Sequence, residues 1–549
     1  MIRMTRSHYS TEYSDQYIST SGTLAIIREI VQWTIGHSPR VLINTTTGRL
    51  CNKAEQASAF ESLPIFKELV SSMATHIDKA RIKREVRQYF RYVMLSHTWE
   101  ENEPPFQEVI GVAVYDLAKS RTHDKLKTFC EIVWDSGFNW AWSDTCCIDK
   151  SDHFVLQEAL VAMFKWYHGS AMMIVSLYGV RSPSRRGALV KSKWNTRGWT
   201  LQEYFAAKVV RFYTEDWTLY LDLELPNHKE SPEVIEEMEQ ATKVSAQQLM
   251  ALRPGLTSIR EKLRLASTRQ TTVVEDAAYS LLGIFSVSGI SPIYGEGEKT
   301  LGHLLAHILA GSGDVSILAW TGESGGYNSC LPAHITVFNE PPTSHLPPPI
   351  RDAEMETIIA ASHSSSFDLD MALALRARLA ELRPPWFTAN RMILACIAFE
   401  LPSLSLDKTR PGYVYCANTS AFGVVEIKTS TDLSEMNSLY LIHPWLNTLL
   451  EHEAMQSGVF AKDGSPLRRP GSWSPRSAVR MAQKEGKTRV RRLVARLRQP
   501  FGALLVRLEL MHGRVVGKRM AADSLISVKL EESFPLADVL DNVRVIDIL

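Results

Sequence analysis

The stretch Tyr92-Val-Met-Leu-Ser-His-Thr-Trp99 is a short apolar run that ends directly in polar and aromatic residues. Similar apolar runs follow it at 140–144, 172–177 and 209–213. The intervening sequence has the apolar spacing of helices at 122–135, 154–168 and 198–207. Short apolar strands that alternate with helices are typical of a parallel sheet covered by helices on both faces. We therefore predict an α/β domain over residues 88–220.

The rest of the chain divides into segments of different character. Residues 1–87 form a polar tail followed by a helical segment, and residues 221–325 form a largely helical extension. Five prolines between positions 341 and 349 mark a linker region over 326–385, because proline neither continues a helix nor donates to a strand ladder. Short apolar runs beyond it predict a mainly β C-terminal domain over 386–549. We expect the helical extension to pack on the α/β sheet, so that a compact unit ends near residue 325.

The composition excludes several classes of function. The 61 Lys and Arg residues balance 60 Asp and Glu residues, so the net charge of +1 does not recruit nucleic acid through bulk charge. No apolar run approaches the roughly 18 residues of a membrane span, and the N-terminus has no apolar signal segment. The seven cysteines contain no CxxC pair and predict reduced thiols rather than a zinc site. We expect a cytoplasmic protein with no bound metal and with neither a membrane nor a nucleic-acid partner.

One stretch departs from the overall charge balance. Residues 476–498 contain nine basic residues and one acid. This stretch would suit either a phosphate-binding surface or a solvated segment inserted into the β domain. Because it contains no aromatic residue that could stack on bases, we favour the solvated segment.

Candidate site residues lie where the predicted strands of the α/β domain end. In an open parallel sheet, the loops at the carboxyl ends of the strands line the ligand crevice. Each candidate also has a structural interpretation, as a turn residue, a helix cap or a core side chain. The candidates after the first and second runs, and in the helix after the third, are Ser96, His97, Trp99, Asp144, Asp149, Trp199 and Glu203.

Several long motifs occur in an order that resembles the fungal heterokaryon-incompatibility (HET) domain. They are YVMLSHTW at 92–99, WSDTCCIDKS at 142–151, WNTRGWTLQE at 194–203, YGEGEK at 294–299 and ILAW at 317–320. The resemblance covers residues 92–320. HET domains are in turn distantly similar to the Toll/interleukin-receptor (TIR) fold, a flavodoxin-like parallel sheet with flanking helices. The resemblance therefore implies that fold for the α/β domain.

The same resemblance implies a chemistry. Some TIR domains cleave NAD at the nicotinamide–ribose bond with a Glu that follows a Trp by a few residues, and Trp199 and Glu203 match that spacing. A carboxylate at that place can stabilise the oxocarbenium-like transition state of the cleavage. The resemblance thus implies Glu203 as the catalytic residue, NAD as the substrate and no required cofactor. The substrate-binding residues would be Ser96, His97, Asp144 and Asp149, with Trp99 and Trp199 as stacking residues.

Two hypotheses of different classes follow. In the first, the protein is a self/non-self recognition or cell-death effector, of the kind used in innate immunity, whose HET domain hydrolyses NAD. In the second, the HET domain has no enzymatic activity and signals by forming a homo-oligomer or by binding an incompatibility partner protein. HET membership does not decide between them, because a fold does not fix a function.

Overall fold

The computed structural model describes residues 20–72, 78–339, 369–445, 490–511 and 513–549. The chain forms two compact units, Met1–Ala241 and Thr242–Leu549. Parts of three predicted segments lie outside the described residues. They are the polar tail at 1–19, the prolines of the linker within 340–368 and the first part of the basic stretch at 476–489.

The first unit is built on a six-stranded sheet with the strand order β2-β1-β4-β3-β5-β6. The strands are β1 (Val41–Asn44), β2 (Leu50–Asn52), β3 (Tyr92–His97), β4 (Trp140–Trp142), β5 (Met172–Leu177) and β6 (Val210–Thr214). Strands β3 to β6 pair in parallel, as the alternation of apolar runs and helices predicted. All six residues of β3 are buried, because helices cover both faces of the sheet.

The hairpin β1–β2 was not predicted, and it makes the sheet mixed rather than purely parallel. It lies within residues 1–87, which we expected to be only a tail and helices. Strand β1 pairs antiparallel with both β2 and β4, and Gly48 closes the hairpin with a φ of +70°. Sequence periodicity misses these strands because they have only four and three residues. The sheet of the first unit therefore begins at Val41, well before residue 88.

Helices cover this sheet and connect its strands. The helices are α1 (Thr20–Gly36), α2 (Lys53–Glu61), α3 (Pro64–Ser72), α4 (Lys79–Tyr89), α5 (Phe106–Val109), α6 (Arg121–Asp135), α7 (His153–Gly169), α8 (Lys193–Thr196), α9 (Gly198–Ala206) and α10 (Pro232–Thr242). The helices predicted at 122–135, 154–168 and 198–207 are confirmed as α6, α7 and α9. Ser120 caps α6 and Asp152 caps α7, each accepting backbone N–H groups of the first turn. Within the described parts of the chain, no helix is both long enough and apolar enough to cross a membrane.

The second unit combines helices with a mainly β region, which confirms the predicted C-terminal β domain. Its helices are α11 (Ala246–Ala251), α12 (Ile259–Ser267), α13 (Asp276–Tyr279), α14 (Lys299–Ser312), α15 (Leu369–Ala380) and α16 (Leu536–Asp541). Its strands are β7 (Trp386–Thr388), β8 (Arg391–Glu400), β9 (Ser405–Leu406), β10 (Tyr413–Thr419), β11 (Gly423–Thr429), β12 (Leu439–Pro444), β13 (Phe501–Met511), β14 (Arg514–Arg519), β15 (Ile526–Val528) and β16 (Val543–Ile548).

Five strands of the second unit close into a ring. The larger sheet has the order β12-β13-β14-β16-β8-β7, and β12 also pairs with β8. Closure removes the free edges of these strands. Ile397, Leu441 and Leu505 of the ring pack in one core with residues of α15, β10 and β11. Of the basic stretch, the described residues 490–497 are helical, and Val490 and Val494 are buried against Ala372 of α15.

The division between the units differs from the boundary that we expected near residue 325. Residues 242–339 belong to the same unit as the β strands. The buried guanidinium of Arg519 in β14 donates to the carbonyls of Leu318 and Trp320, at 2.9 and 2.7 Å. The amide side chain of Asn328 donates to the carbonyl of Ile548 at 2.8 Å. These bonds join the end of the helical extension to the β strands, so a compact unit does not end at 325.

Candidate active site

The candidate site lies in the first unit, where β3 and β4 end. Ser96 and His97 are the last two residues of β3, and Asp144 follows β4 by two residues. Because β3 and β4 are parallel neighbours, their carboxyl ends meet at one edge of the sheet. Helix α9 packs against β3 and carries Glu203 to the same edge. The predicted meeting of strand ends therefore occurs for these four residues.

A chain of hydrogen bonds leads to the carboxylate of Glu203. The indole Nε1 of Trp194 donates to Ser96 Oγ at 2.7 Å, and Ser96 Oγ donates to Glu203 Oε2. The hydroxyl proton of Ser96 is thereby directed at the carboxylate, because its oxygen accepts from Trp194. Ser96 is 1% exposed and Glu203 is 8% exposed. The fold thus buries a carboxyl group and supplies it with a fixed donor.

This environment changes the acidity of Glu203. Burial raises its pKa to about 7, and the negative charge of Asp144 acts in the same direction. The hydrogen bond from Ser96 and the positive charge of Arg197 lower the pKa but do not cancel the effect of burial. Near neutral pH the carboxyl group is therefore divided between its protonated and ionised forms. Groups with such a pKa suit proton transfer near pH 7, as many catalytic carboxyls do.

Asp144 forms a second cluster beside the first. Its Oδ1 is 3.1 Å from His97 Nε2, and its Oδ2 accepts from Trp99 Nε1 at 2.8 Å. Burial would raise the pKa of Asp144, but the hydrogen bond with His97 and the charge of Lys150 outweigh it and hold the pKa well below its usual range. Asp144 is therefore a permanent anion next to a carboxyl group that titrates. This combination of one ionised and one titrating carboxyl group gives the two groups different chemical roles.

Trp99 is an aromatic side chain fixed at the surface of this site. It is 47% exposed, and its bond to Asp144 holds the indole in place. The ammonium of Lys150 lies 3.7 Å from the ring centroid and the guanidinium of Arg197 lies 5.6 Å from it. An exposed, oriented ring of this kind can stack on a planar ligand.

The structure does not bring every predicted residue into these two clusters. Asp149 lies in the turn before α7, where it accepts from Gln107 Nε2 at 2.5 Å and from the backbone N–H of Ser151 at 3.0 Å. Trp199 is half-buried at the start of α9 and takes no part in the hydrogen bonds around Glu203. Glu203 thus meets Ser96, and Asp144 meets His97 and Trp99, whereas Asp149 and Trp199 lie apart from these bonds.

Several residues that complete the site were not among the predicted candidates. Trp194 supplies the donor to Ser96, and Arg197 and Lys150 supply positive charge. The Tyr167 hydroxyl donates to the carbonyl of Leu95 at 2.9 Å and lies close enough to Glu203 to lower its pKa. Trp194, Arg197 and Lys150 lie inside the quoted motifs. Their position in these motifs was a signal, but the spacing of residues could not show which way each side chain points.

Comparison with known proteins identifies the domain that contains most of this site. Residues 92–188 match the family described as Heterokaryon incompatibility protein (HET).

The chain contains a HET domain.

The sequence is also similar to the Vegetative incompatibility protein HET-E-1 of Podospora anserina, with 35% identity over 225 residues. That match covers 39% of this chain and 16% of the relative, so the chain spans about a sixth of the relative's length. No solved structure matches the chain. The HET resemblance is confirmed, and the likeness to the TIR fold stays a prediction. Ser96, His97, Trp99, Asp144 and Asp149 lie within the HET match, whereas Glu203 lies beyond residue 188.

Proposed function

We propose that this protein acts in heterokaryon incompatibility as a self/non-self recognition or cell-death effector, and that its HET domain hydrolyses NAD at the nicotinamide–ribose bond. The HET match and the similarity to a vegetative incompatibility protein support the biological role. The seven cysteines are free thiols, which suits the cytoplasmic location that we also propose.

The buried pair of Ser96 and Glu203 carries the proposal for catalysis. It lies at the carboxyl edge of the parallel strands, where ligands bind in open α/β sheets. Counted along the chain, the four parallel strands have the spatial order 2-1-3-4, which matches the first four positions of the flavodoxin-like order 2-1-3-4-5. This order supports the TIR-like fold from which the activity is inferred.

The geometry suits a hydrolysis without a bound cofactor. The bond between ribose C1′ and the nicotinamide nitrogen breaks, its electron pair leaves with nicotinamide, and positive charge develops on the ribose. The ionised form of Glu203 can stabilise that charge, with Ser96 fixing the orientation of its carboxylate. A water molecule then attacks C1′ and passes a proton to Glu203, whose pKa of about 7 suits a general base. The products are nicotinamide and ADP-ribose.

The test is consumption of NAD by the purified chain over a range of protein concentrations. We expect nicotinamide release by the wild type and at least a hundredfold loss in Glu203→Ala, a typical effect for an acid–base residue. Glu101→Ala is the matched control, because Glu101 is an exposed glutamate on the loop after β3. Equal release by wild type and Glu203→Ala would exclude the catalytic role.

A specific surface feature favours the second candidate function, signalling by self-association through the HET domain. Helix α7 exposes two apolar side chains seven residues apart, Phe154 at 72% and Val161 at 48%. Residues at that spacing share one face of a helix. We expect concentration-dependent assembly in light scattering, and its loss in Phe154→Ser/Val161→Ser. Assembly without NAD binding in calorimetry would favour this function over hydrolysis, whereas assembly with turnover would mean that both operate. The incompatibility partner protein would then be a regulator of the assembly.

A further inference from the structure

A cavity of about 450 Å³ opens in the loop that connects β5 to α8. Four of its lining residues are basic: Arg181, Arg185, Lys191 and Lys193. No acidic residue lines it. Cations that converge on one concave surface repel one another, and an anion in the cavity would relieve that repulsion.

The cations of this cavity have few counter-charges of their own. Among the residues that the structure describes, Arg185, Lys191 and Lys193 form no ion pair. Arg181 lies 3.7 Å from Glu215, whose carboxylate also pairs with Arg121 at 3.0 Å and accepts the backbone N–H of Gly179 at 2.8 Å.

Carboxylates that do not line the cavity hold its loop in shape, as Glu237 does by accepting the backbone N–H groups of Leu189 and Val190 at 3.0 and 3.3 Å. Asp216 accepts the backbone N–H of Ser182 at 2.9 Å, as Glu215 does that of Gly179. Both carboxylates keep their charge, but neither lines the cavity, whose charged lining residues are all basic.

The cavity adjoins the candidate active site through consecutive residues. Lys193 lines the cavity, and the next residue, Trp194, donates to Ser96. The strands are also neighbours, because His97 of β3 is paired with Ser176 of β5, two residues before Tyr178 in the cavity wall. The cavity and Ser96, the hydrogen-bond partner of Glu203, therefore lie near neighbouring strand ends at one edge of the sheet.

We propose that this cavity binds the diphosphate of the dinucleotide whose ribose lies at Glu203. The identity of the nucleotide rests on the proposed function, whereas the affinity for phosphate groups rests on the cavity itself. Arg185 and Lys191 donate charge-assisted hydrogen bonds to the phosphate oxygens, and Lys193 adds positive charge beside Trp194. The remote phosphate contacts hold the glycosidic bond in position at Glu203.

The experiment is titration calorimetry of the full chain with inorganic pyrophosphate and, separately, with ADP-ribose. The double variant Arg185→Ala/Lys191→Ala should weaken both ligands by about a hundredfold, or roughly tenfold for each charge-assisted bond removed. Arg186→Ala is the matched control: it removes the same kind of charge from the same loop, but Arg186 pairs with Glu233 and does not line the cavity. It should change either affinity by no more than about twofold.

The outcomes separate this inference from the proposed function. Unchanged affinity of the double variant for both ligands would overturn the cavity assignment, whatever the NAD turnover. Binding of pyrophosphate without binding of ADP-ribose would overturn the claim that the ligand is a dinucleotide and would indicate a free phosphate compound instead. A chain that binds both ligands through Arg185 and Lys191 and yet releases no nicotinamide would support phosphate binding by the cavity and refute NAD hydrolysis. In an active chain, the double variant should raise KM for NAD about a hundredfold, whereas Arg186→Ala should not.

Discussion

Glu203→Gln should stabilise the first unit, and more so as the pH rises. The unfolded chain ionises Glu203 near its ordinary pKa of 4.5, whereas the folded chain does so at about 7. Between these two values the folded state binds a proton that the unfolded state has lost, so this group's contribution to stability falls as pH rises. Each pH unit between the two pKa values corresponds to about 1.4 kcal/mol, which gives roughly 3 kcal/mol in total. Gln cannot ionise and avoids this loss.

The assay is native-state hydrogen exchange of peptides from β3 and α9, because it reports on the first unit within the full chain. Wild type, Glu203→Gln and the exposed control Glu101→Gln are compared at the same pH, so that the intrinsic exchange rates cancel. The free energy of opening of Glu203→Gln should exceed that of the wild type by an advantage that grows by about 2.5 kcal/mol from about pH 5 to about pH 8. The free energy of opening of Glu101→Gln should follow that of the wild type. An advantage that does not vary with pH would refute the titration of Glu203 near 7.

Three further predictions follow from the contacts. Ser96→Ala removes a hydrogen bond that lowers the pKa of Glu203, so the pH midpoint of nicotinamide release should rise by about one unit, and an unchanged midpoint would contradict the pairing. Asp144→Asn removes a nearby negative charge but keeps an acceptor oxygen, so it should lower the same midpoint, and a rise in the midpoint would count against an effect of that charge. Arg519→Met leaves two carbonyls without their donor and should destabilise the second unit by about 3 kcal/mol in urea unfolding, whereas a loss below about 1 kcal/mol would show that these bonds matter little.

Much of the first unit was predictable because its parallel strands are buried on both faces. Strands of this kind appear as unbroken apolar runs, and the helices between them keep the 3.6-residue spacing. The hairpin β1–β2 was missed because its short strands owe their place to pairing with β4, a partner remote in sequence. The boundary near 325 failed for the same reason, since Arg519 reaches back about 200 positions to Leu318 and Trp320, with separations of 201 and 199 residues.

The candidate site was predictable as a region but not as a set of contacts. The rule that parallel strands end at one edge was enough to group Ser96, His97 and Asp144. It could not show that Glu203 would meet Ser96 rather than Asp144, because that depends on how α9 lies on β3. It also gave no reason to separate Asp149, whose carboxylate is engaged with the turn before α7.

Nicotinamide release from NAD at about pH 8, by wild type and Glu203→Gln side by side, tests the central claim most directly, because Glu203 is ionised there. The Gln variant is expected to be the more stable protein at that pH, so a loss of its activity cannot be assigned to unfolding. We predict nicotinamide and ADP-ribose in equal amounts from the wild type, and at least a hundredfold less of both from Glu203→Gln. Equal release by the two proteins, or none by the wild type at any concentration, would contradict NAD hydrolysis at Glu203.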